Sequence, residues 1–427
     1  MTIPALLNVI VASLSLGIFV VHFVLYGGIV RVLVKARHGR NATIPQDVTV
    51  GVVVPARNEA ANLPRLLASL DAQSKQAFDL VLIDDRSTDA THDIMRRHAA
   101  AHRGRVTVVR LSEADRIPGM NPKQNALAHG VKATDGTIIL FTDADCEVPP
   151  NWIEEMTWCY RDSSVGLVIG PIITRQDRGA TSRFHAFDHI FKFAYTAGSA
   201  GIGLPTGGFG NNLSVRRSAL DAIGGVESVG YSTTEDAALI AAVRTRSGFT
   251  ARALFSRRSL VTTEPLGSLR EIAAQEVRWH IGGLFSTDPG TSIPYAYLML
   301  YLTASIIVIP FIALYPPLAL MPLTSFLTMG GMAAFAGCAT RQKGRTFWRW
   351  FVPDLLMTML FNAYLTVRAL TRREVSWKGS RLGSSERADP QDGSNEVVEK
   401  LMEAMKMGIL NEPDSGTEPR NADFRAS

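Results

Sequence analysis

An α/β fold with a mostly parallel sheet, flanked at both ends by apolar helices, is what this chain of 427 residues predicts. Three observations lead there. Between Val48 and about Ser286, short β-branched apolar runs alternate with segments of helical period, the pattern of strands joined by crossover helices. Acidic and amide residues gather where those runs end. Long apolar stretches open the chain and fill much of its last third, and 46% of all residues are hydrophobic, with a mean hydropathy of +0.10. That is more than a soluble domain needs.

Ile3 to Val34 carries no charge before Arg31 and exceeds the roughly 20 residues a helix needs to cross a bilayer, so residues 1–40 are expected to form a membrane anchor. A cleaved signal peptide is the rival, but the apolar stretch is too long and no basic segment precedes it. Val48 to Pro55 predicts the first strand. Asn62, Leu63, Leu66, Leu67 and Leu70 share a helical face, and Asp79 to Asp84 returns to strand. Thr91 to Ala101 is expected as helix, Arg105 to Leu111 as strand, Lys123 to Lys132 as helix and Thr137 to Phe141 as strand. Ala237 to Thr245 and Leu269 to Leu284 read as helices, the latter amphipathic and suited to a membrane interface.

Pro294 to Ala339, broken at Tyr315-Pro316-Pro317, is long enough for a hairpin of two spans. A third apolar segment, 350–370, spans, re-enters or lies in the interface. Arg31, Lys35, Arg37 and Arg40 follow the first span, and Arg341, Lys343, Arg345 and Arg349 follow the hairpin; basic flanks face the cytosol, which puts residues 48–286 there. Arg368, Arg372, Arg373, Lys378 and Arg381 are also basic, which favours re-entry or an interfacial helix for 350–370. The tail, 380–427, is polar and expected to be disordered apart from a helical patch at Val397, Leu401, Met402 and Met405.

Three cysteines, Cys146, Cys159 and Cys338, have neither metal-binding spacing nor the density of a disulfide framework. The formal charge of +5 does not point to nucleic acid, because the basic residues sit beside apolar stretches where anionic headgroups account for them.

Asp143 and Asp145 end the fourth strand. Alternate residues of a strand share a face, so the two carboxylates can converge on one hard cation. A chain this long holds roughly one Asp-x-Asp by chance, so its company matters. Pro55, Arg57 and Glu59 follow the first strand, Asp84 and Asp85 the second, and Lys123 opens the helix before the fourth, all on the edge where open parallel sheets bind ligands. Capped helix starts would explain any one of these, but poorly all of them together.

The succession Val-Pro-Ala-Arg-Asn-Glu, Ile-Asp-Asp-Arg-Ser-Thr-Asp, Lys-x-x-Ala-Leu and Thr-Asp-Ala-Asp, in order and spacing from Val48 to Trp279, resembles the inverting family 2 glycosyltransferases, including ceramide-glucosyltransferase-like and bacterial glycolipid-forming members. The resemblance implies a nucleotide-binding GT-A fold for residues 48–286. It also implies that Asp145, helped by Asp143, holds Mg2+ or Mn2+ on a nucleoside-diphosphate sugar, with uridine the expected base. Pro55, Arg57, Glu59, Asp84, Asp85, Lys123 and Asp143 would then bind the donor nucleotide. In Thr-Thr-Glu-Asp, Asp236 would be the catalytic base with Glu235 in support, though an acidic helix cap has the same composition. Gln275-Glu276-Val277-Arg278-Trp279 fits Gln-x-x-Arg-Trp, so Arg278 would assist the departing diphosphate while Gln275 and Trp279 line the acceptor site. Gly208 and Asn211, in a Gly/Asn-rich loop, join the acceptor set.

The expected reaction is transfer, with inversion, from a nucleotide sugar to a hydroxyl of a lipid or lipid-linked acceptor by an integral membrane enzyme, which in a bacterium would sit in the cell (inner) membrane. A processive polysaccharide synthase shares the motifs but needs a channel that so few apolar segments scarcely supply. A polyprenyl-phosphate sugar synthase is disfavoured by Gln-x-x-Arg-Trp, and a transporter by the size of the soluble block. From another class, a non-catalytic nucleotide-sugar-binding subunit remains, because fold alone does not prove turnover.

Overall fold

The first apolar stretch forms one long helix, α1 (Ile3–His38), and the alternating block that follows begins with β1 (Val50–Ala56), α2 (Leu63–Asp71), β2 (Asp79–Asp85), α3 (Thr91–Ala101), β3 (Arg105–Leu111), α4 (Pro122–Lys132) and β4 (Ile138–Phe141). The computed structural model describes residues 2–38, 48–102, 105–176, 179–340, 345–371, 375–377 and 380–382. The tail patch at 397–405 and the basic flanking residues Arg40, Arg341, Lys343, Arg372, Arg373 and Lys378 lie outside them. Residues 1–386 cluster as one compact unit.

Next come β5 (Cys146–Glu147), α5 (Trp152–Thr157), β6 (Val165–Ile169), β7 (Ile172–Thr174), α6 (Ala180–Gly201), β8 (Leu213–Arg216), α7 (Arg217–Ile223), α8 (Glu235–Arg246), β9 (Thr250–Ala253) and β10 (Val261–Thr263). The main sheet has seven strands in the order β3-β2-β1-β4-β8-β6-β9. Its pairings are parallel except those of β8, which runs antiparallel to β4 and β6. The expected mostly parallel sheet is therefore observed, with one inverted strand that periodicity cannot reveal. A small sheet, β5-β10-β7, stands beside it.

Strands β1, β2 and β4 are buried on nearly every residue, as central parallel strands must be when helices cover both faces. Register brings their carboxyl ends level. Pro55 pairs with Ile83 and Ala56 with Asp84, while Val53 pairs with Phe141, so Asp143 leaves β4 near Pro55 and Asp84. That alignment makes the site.

Helix α6, 22 residues long, was not evident in the sequence, because its His, Asp and Lys residues interrupt the apolar period. It lies between the sheet and α1. Its crossing with α1 is built on glycine: a Cβ added to Gly28 or to Gly201 would overlap backbone of the other helix, so only glycine permits the approach.

The remaining helices are α9 (Leu269–Leu284), α10 (Pro289–Ile307), α11 (Leu320–Ala339), α12 (Arg345–Arg349) and α13 (Phe351–Thr371). Among the described residues two helical stretches, Ile3–Lys35 and Pro316–Ala339, are long and apolar enough to cross a membrane. The expected hairpin forms as α10 and α11, but α10, interspersed with tyrosine, serine and threonine, is not one of those two. The third apolar segment is one continuous helix, α13. It packs Phe361, Leu365 and Ala369 on Ile272, Ala273, Val277 and Ile281 of α9. Helix α9, expected at a membrane interface, is thus held between α13 and α6, and its Trp279 turns toward Phe209 and His189.

Candidate active site

The loops after β1 and β2 are tied together before they reach any ligand. Asn58 and Arg86 both take left-handed backbone, φ 55° and 58°, which is uncommon outside glycine and turns each chain sharply at the sheet edge. The Ser87 hydroxyl accepts the Asn58 N–H at 3.0 Å, and the Asn58 side-chain oxygen accepts the Thr88 N–H at 2.8 Å. Glu59 N–H donates to the Thr91 hydroxyl at 2.8 Å. Asp84 belongs to this scaffold: fully buried, it accepts the Ser87 N–H at 3.0 Å and stands 3.3 Å from Arg110.

Beyond the scaffold lies a cavity of about 610 Å³ lined by Pro55, Arg57, Glu59 and Asp85 from the first two strand ends, and by Asp143 and Asp145 from the fourth. Lys123, Asn211, Glu235, Asp236, Gln275, Arg278 and Trp279 also line it. Of the residues singled out in the sequence, only Asp84 and Gly208 do not. Gly208 is glycine for packing, since a Cβ there would press on Ile240 and Ile169. Gly210 instead reaches the cavity.

Electrostatics organise the centre. Lys123, in the first turn of α4, places Nζ 2.9 Å from Asp143 Oδ2 and 3.0 Å from Glu235 Oε1. Burial alone would lower the Lys123 pKa, but Asp143 and Glu235 outweigh it, and the pKa is raised. The ammonium is therefore permanent. Burial likewise opposes ionisation of Glu235, yet Lys123 holds its pKa below the ordinary value.

Asp236 follows in the first turn of α8. Its Oδ2 accepts the Gly210 N–H at 2.8 Å, which fixes the carboxylate against the glycine-rich loop. Burial first, and Glu235 second, push its pKa up to about 6. Asp145 is raised to about 6 as well, by burial and then by Asp143 and Glu59. Burial lowers the Arg278 pKa, while Glu235, Asp236 and Asp143 counter it. One guanidinium thus serves three carboxylates.

The other end of the cavity is less polar. Trp279 meets Phe209 edge to face, with ring centroids 6.2 Å apart, and His185, His189 and Leu266 complete that wall. Asn212 pins the loop from behind, donating to the carbonyls of Pro171 and Ser259 at 2.7 Å each, so that its neighbour Asn211 faces the cavity.

Sequence reasoning missed Asn121, His185, His189, Phe209 and Glu264 as lining residues. Asn121 had a signal: Asn-Pro-Lys-Gln is a helix start with a capping box, which the structure contains. The histidines had none, because α6 itself was unseen.

The chain covers 45% of the glycosyltransferase AglE of Haloferax volcanii, with 26% identity over 145 residues, which are 33% of this chain. An undecaprenyl-phosphate 4-deoxy-4-formamido-L-arabinose transferase of Pseudomonas paraeruginosa shares 34% identity over 111 residues, 25% of this chain and 31% of that protein. The chain thus spans less than half the length of these curated relatives. The solved mannosyltransferase PcManGT of Pyrobaculum calidifontis aligns over 84% of this chain and 99% of its own, with 16% identity and a TM-score of 0.48. The motif resemblance pointed to family 2; the matching family model is described as glycosyl transferase family 21 and extends from residue 10, inside α1, to residue 387, past α13. With the helices at both ends and the acidic cavity between them inside one match, the chain belongs to glycosyl transferase family 21.

Proposed function

We propose that this glycosyltransferase is an integral membrane enzyme with a GT-A-type catalytic domain at 48–286, and that it moves a sugar, with inversion, from a nucleoside-diphosphate donor to a hydroxyl of a lipid acceptor. The observation that carries the reading is the meeting in one cavity of Asp143, Asp145, Lys123, Glu235, Asp236 and Arg278, drawn from one strand end and three helices. The two apolar stretches support membrane attachment, with the anchor at 1–40 and the cavity on the cytosolic side. The undecaprenyl-phosphate transferases among its relatives support a lipid acceptor.

Donor binding falls to the rim formed by Pro55, Arg57, Glu59 and Asp85, with uridine the expected base. Asp143, Asp145 and Glu59 are hard oxygen donors lining one cavity, a set whose chemistry suits Mg2+ or Mn2+, and burial first, then Asp143 and Glu59, raises the Asp145 pKa, a cost that a bound cation would offset. When bound, such a cation neutralises the diphosphate as the sugar departs. Lys123 holds Asp143 and Glu235 at fixed distance, and Arg278 adds positive charge where the leaving group develops its negative charge.

Asp236 takes the acceptor proton. A direct displacement forms the bond from the acceptor oxygen to the anomeric carbon as the bond to the diphosphate breaks, and the hydroxyl proton passes to the carboxylate. Gly210 N–H donates to one Asp236 oxygen at 2.8 Å and Ala237 N–H to the other at 2.7 Å, which fixes the plane of the carboxylate and leaves each oxygen a further lone pair for the proton. Trp279 and Phe209 supply the apolar wall that an amphiphile needs.

The test incubates membranes containing the full chain with a panel of radiolabelled nucleotide sugars, with Mg2+ or Mn2+, and separates lipid-soluble from polymeric product. Cation-dependent label in the lipid fraction is expected. Label confined to polymer overturns the lipid acceptor in favour of a polysaccharide synthase, and nucleotide-sugar binding without any transfer favours the non-catalytic subunit.

A further inference from the structure

Away from the cavity, α2 and α3 end side by side on a cluster of a different chemistry. Asp71 is the last residue of α2, His98 lies in the last turn of α3, and His102 caps that helix. Asp71 Oδ1 stands 3.6 Å from His98 Nε2 and 3.1 Å from His102 Nδ1, and the three ligand atoms lie within 4.8 Å of one another. No other group of three His, Cys, Asp or Glu side chains is drawn so close among the described residues.

Three features fit a metal. Around a tetrahedral zinc ion, with bonds of about 2.0–2.2 Å, ligand atoms lie roughly 3.3 Å apart, and both Asp71 separations are already near that value. His98 Nε2 is shut off from solvent and makes no hydrogen bond, so a buried ring nitrogen faces the cluster with the Asp71 carboxylate, at 3.6 Å, beyond hydrogen-bond reach. The histidine rings stack 5.1 Å apart at 29°, with their two ligand nitrogens within 4.8 Å of each other on the side of Asp71. Helix C-termini, where unpaired carbonyls concentrate negative potential, also favour a cation.

We propose that Asp71, His98 and His102 form a second metal site, for a borderline transition ion of the zinc type with water in the open position. The cleft set is all oxygen and suits Mg2+ or Mn2+; two imidazoles and one carboxylate select zinc-like ions instead. The placement gives the site a role. Helices α2 and α3 both begin at the cavity rim, where Glu59 N–H binds the Thr91 hydroxyl and Ala60 N–H binds Asp89 at 3.1 Å. At about 1.5 Å per residue, nine and eleven residues carry the helices some 13–16 Å to the cluster. An ion there clamps the far ends of the two helices whose near ends carry the donor rim. It is a stabilising site, outside the chemistry.

The test uses full-length protein in detergent, stripped with EDTA, dialysed, and titrated with zinc against a chromophoric chelator while Tm is followed. Wild type is expected to take up one zinc at micromolar or tighter affinity with a rise in Tm. The double substitution His98→Gln with His102→Gln should weaken uptake by about tenfold or more and abolish the Tm rise, and Asp71→Asn should weaken it less. Asp145→Asn should leave zinc uptake intact, which separates this site from the cleft. Circular dichroism checks folding, and His102→Asn alone replaces the double variant if that does not fold. Absence of zinc uptake, or uptake lost in Asp145→Asn but kept without the histidines, overturns the proposal. Neither result depends on sugar transfer.

Discussion

Lys123 Nζ lies 3.0 Å from Glu235 Oε1, joining the first turn of α4 to the first turn of α8 across the cavity. The same ammonium reaches Asp143 at 2.9 Å, so one cation sets the spacing between the strand-end carboxylates and the Glu235-Asp236 pair. Lys123→Met would leave Glu235 and Asp143 facing each other without a counter-charge. Transfer should fall by about 100-fold or more, measured with labelled donor.

Asp236→Asn keeps size and the capacity to accept the Gly210 N–H but cannot take a proton. Turnover should drop by roughly 10²–10⁴, while calorimetric binding of uridine diphosphate stays within about twofold. Wild-type turnover in this variant would remove Asp236 as the base.

The acidity of Asp236 sets an acid limb. Burial and Glu235 raise its pKa to about 6, and a base works only when ionised, so kcat/KM should be level above that value and decline as pH falls through it. A profile flat to pH 4 would deny the assignment.

Chelation should abolish transfer, and Mg2+ or Mn2+ should restore it. Asp145→Ala removes one hard oxygen ligand, so the cation concentration needed for half-maximal rate should rise by tenfold or more, on the order of the loss of one carboxylate ligand. An unchanged cation requirement would place the metal elsewhere.

Helix α9 owes its position to a buried ion cluster. Lys192 on α6 stands 2.5 Å from both Asp188 and Glu276, carboxylates with no solvent exposure, and its ammonium also lies 5.2 Å from the centre of the Trp279 ring. Lys192→Met strands two buried carboxylates and should cost about 3–5 kcal/mol, seen as a lower Tm, with weakened acceptor saturation as Trp279 shifts.

Much of this was legible before any coordinates. Val50–Ala56 and Asp79–Asp85 read as strands because buried parallel strands are apolar runs, Arg105–Leu111 because β-branched residues recur in it even though it is the half-exposed edge strand, and α9 began and ended where its caps and period said. Asp143, Asp145 and Lys123 were found because strand ends are where polar residues carry meaning. Helix α6 was not found, since its apolar face is interrupted by the buried His185, Asp188 and His189 and the half-buried Lys192, whose ion cluster is completed by Glu276 of the distant helix α9.

The amino-acid order by itself determined the alternating α/β pattern, the apolar ends and most of the polar residues that line the cavity, because periodicity and motif spacing are local properties. Only the tertiary structure decided which of those residues meet. Asp84 and Asp85 are neighbours in sequence, yet β2 turns the first into the buried scaffold of a loop and leaves the second on the cavity wall. Helix α9, read from the sequence as suited to a membrane interface, turns Trp279 inward because α13 covers its apolar face and α6 supplies the charges that hold the other. Burial and partnership are long-range properties, and they depend on packing that no window of sequence contains.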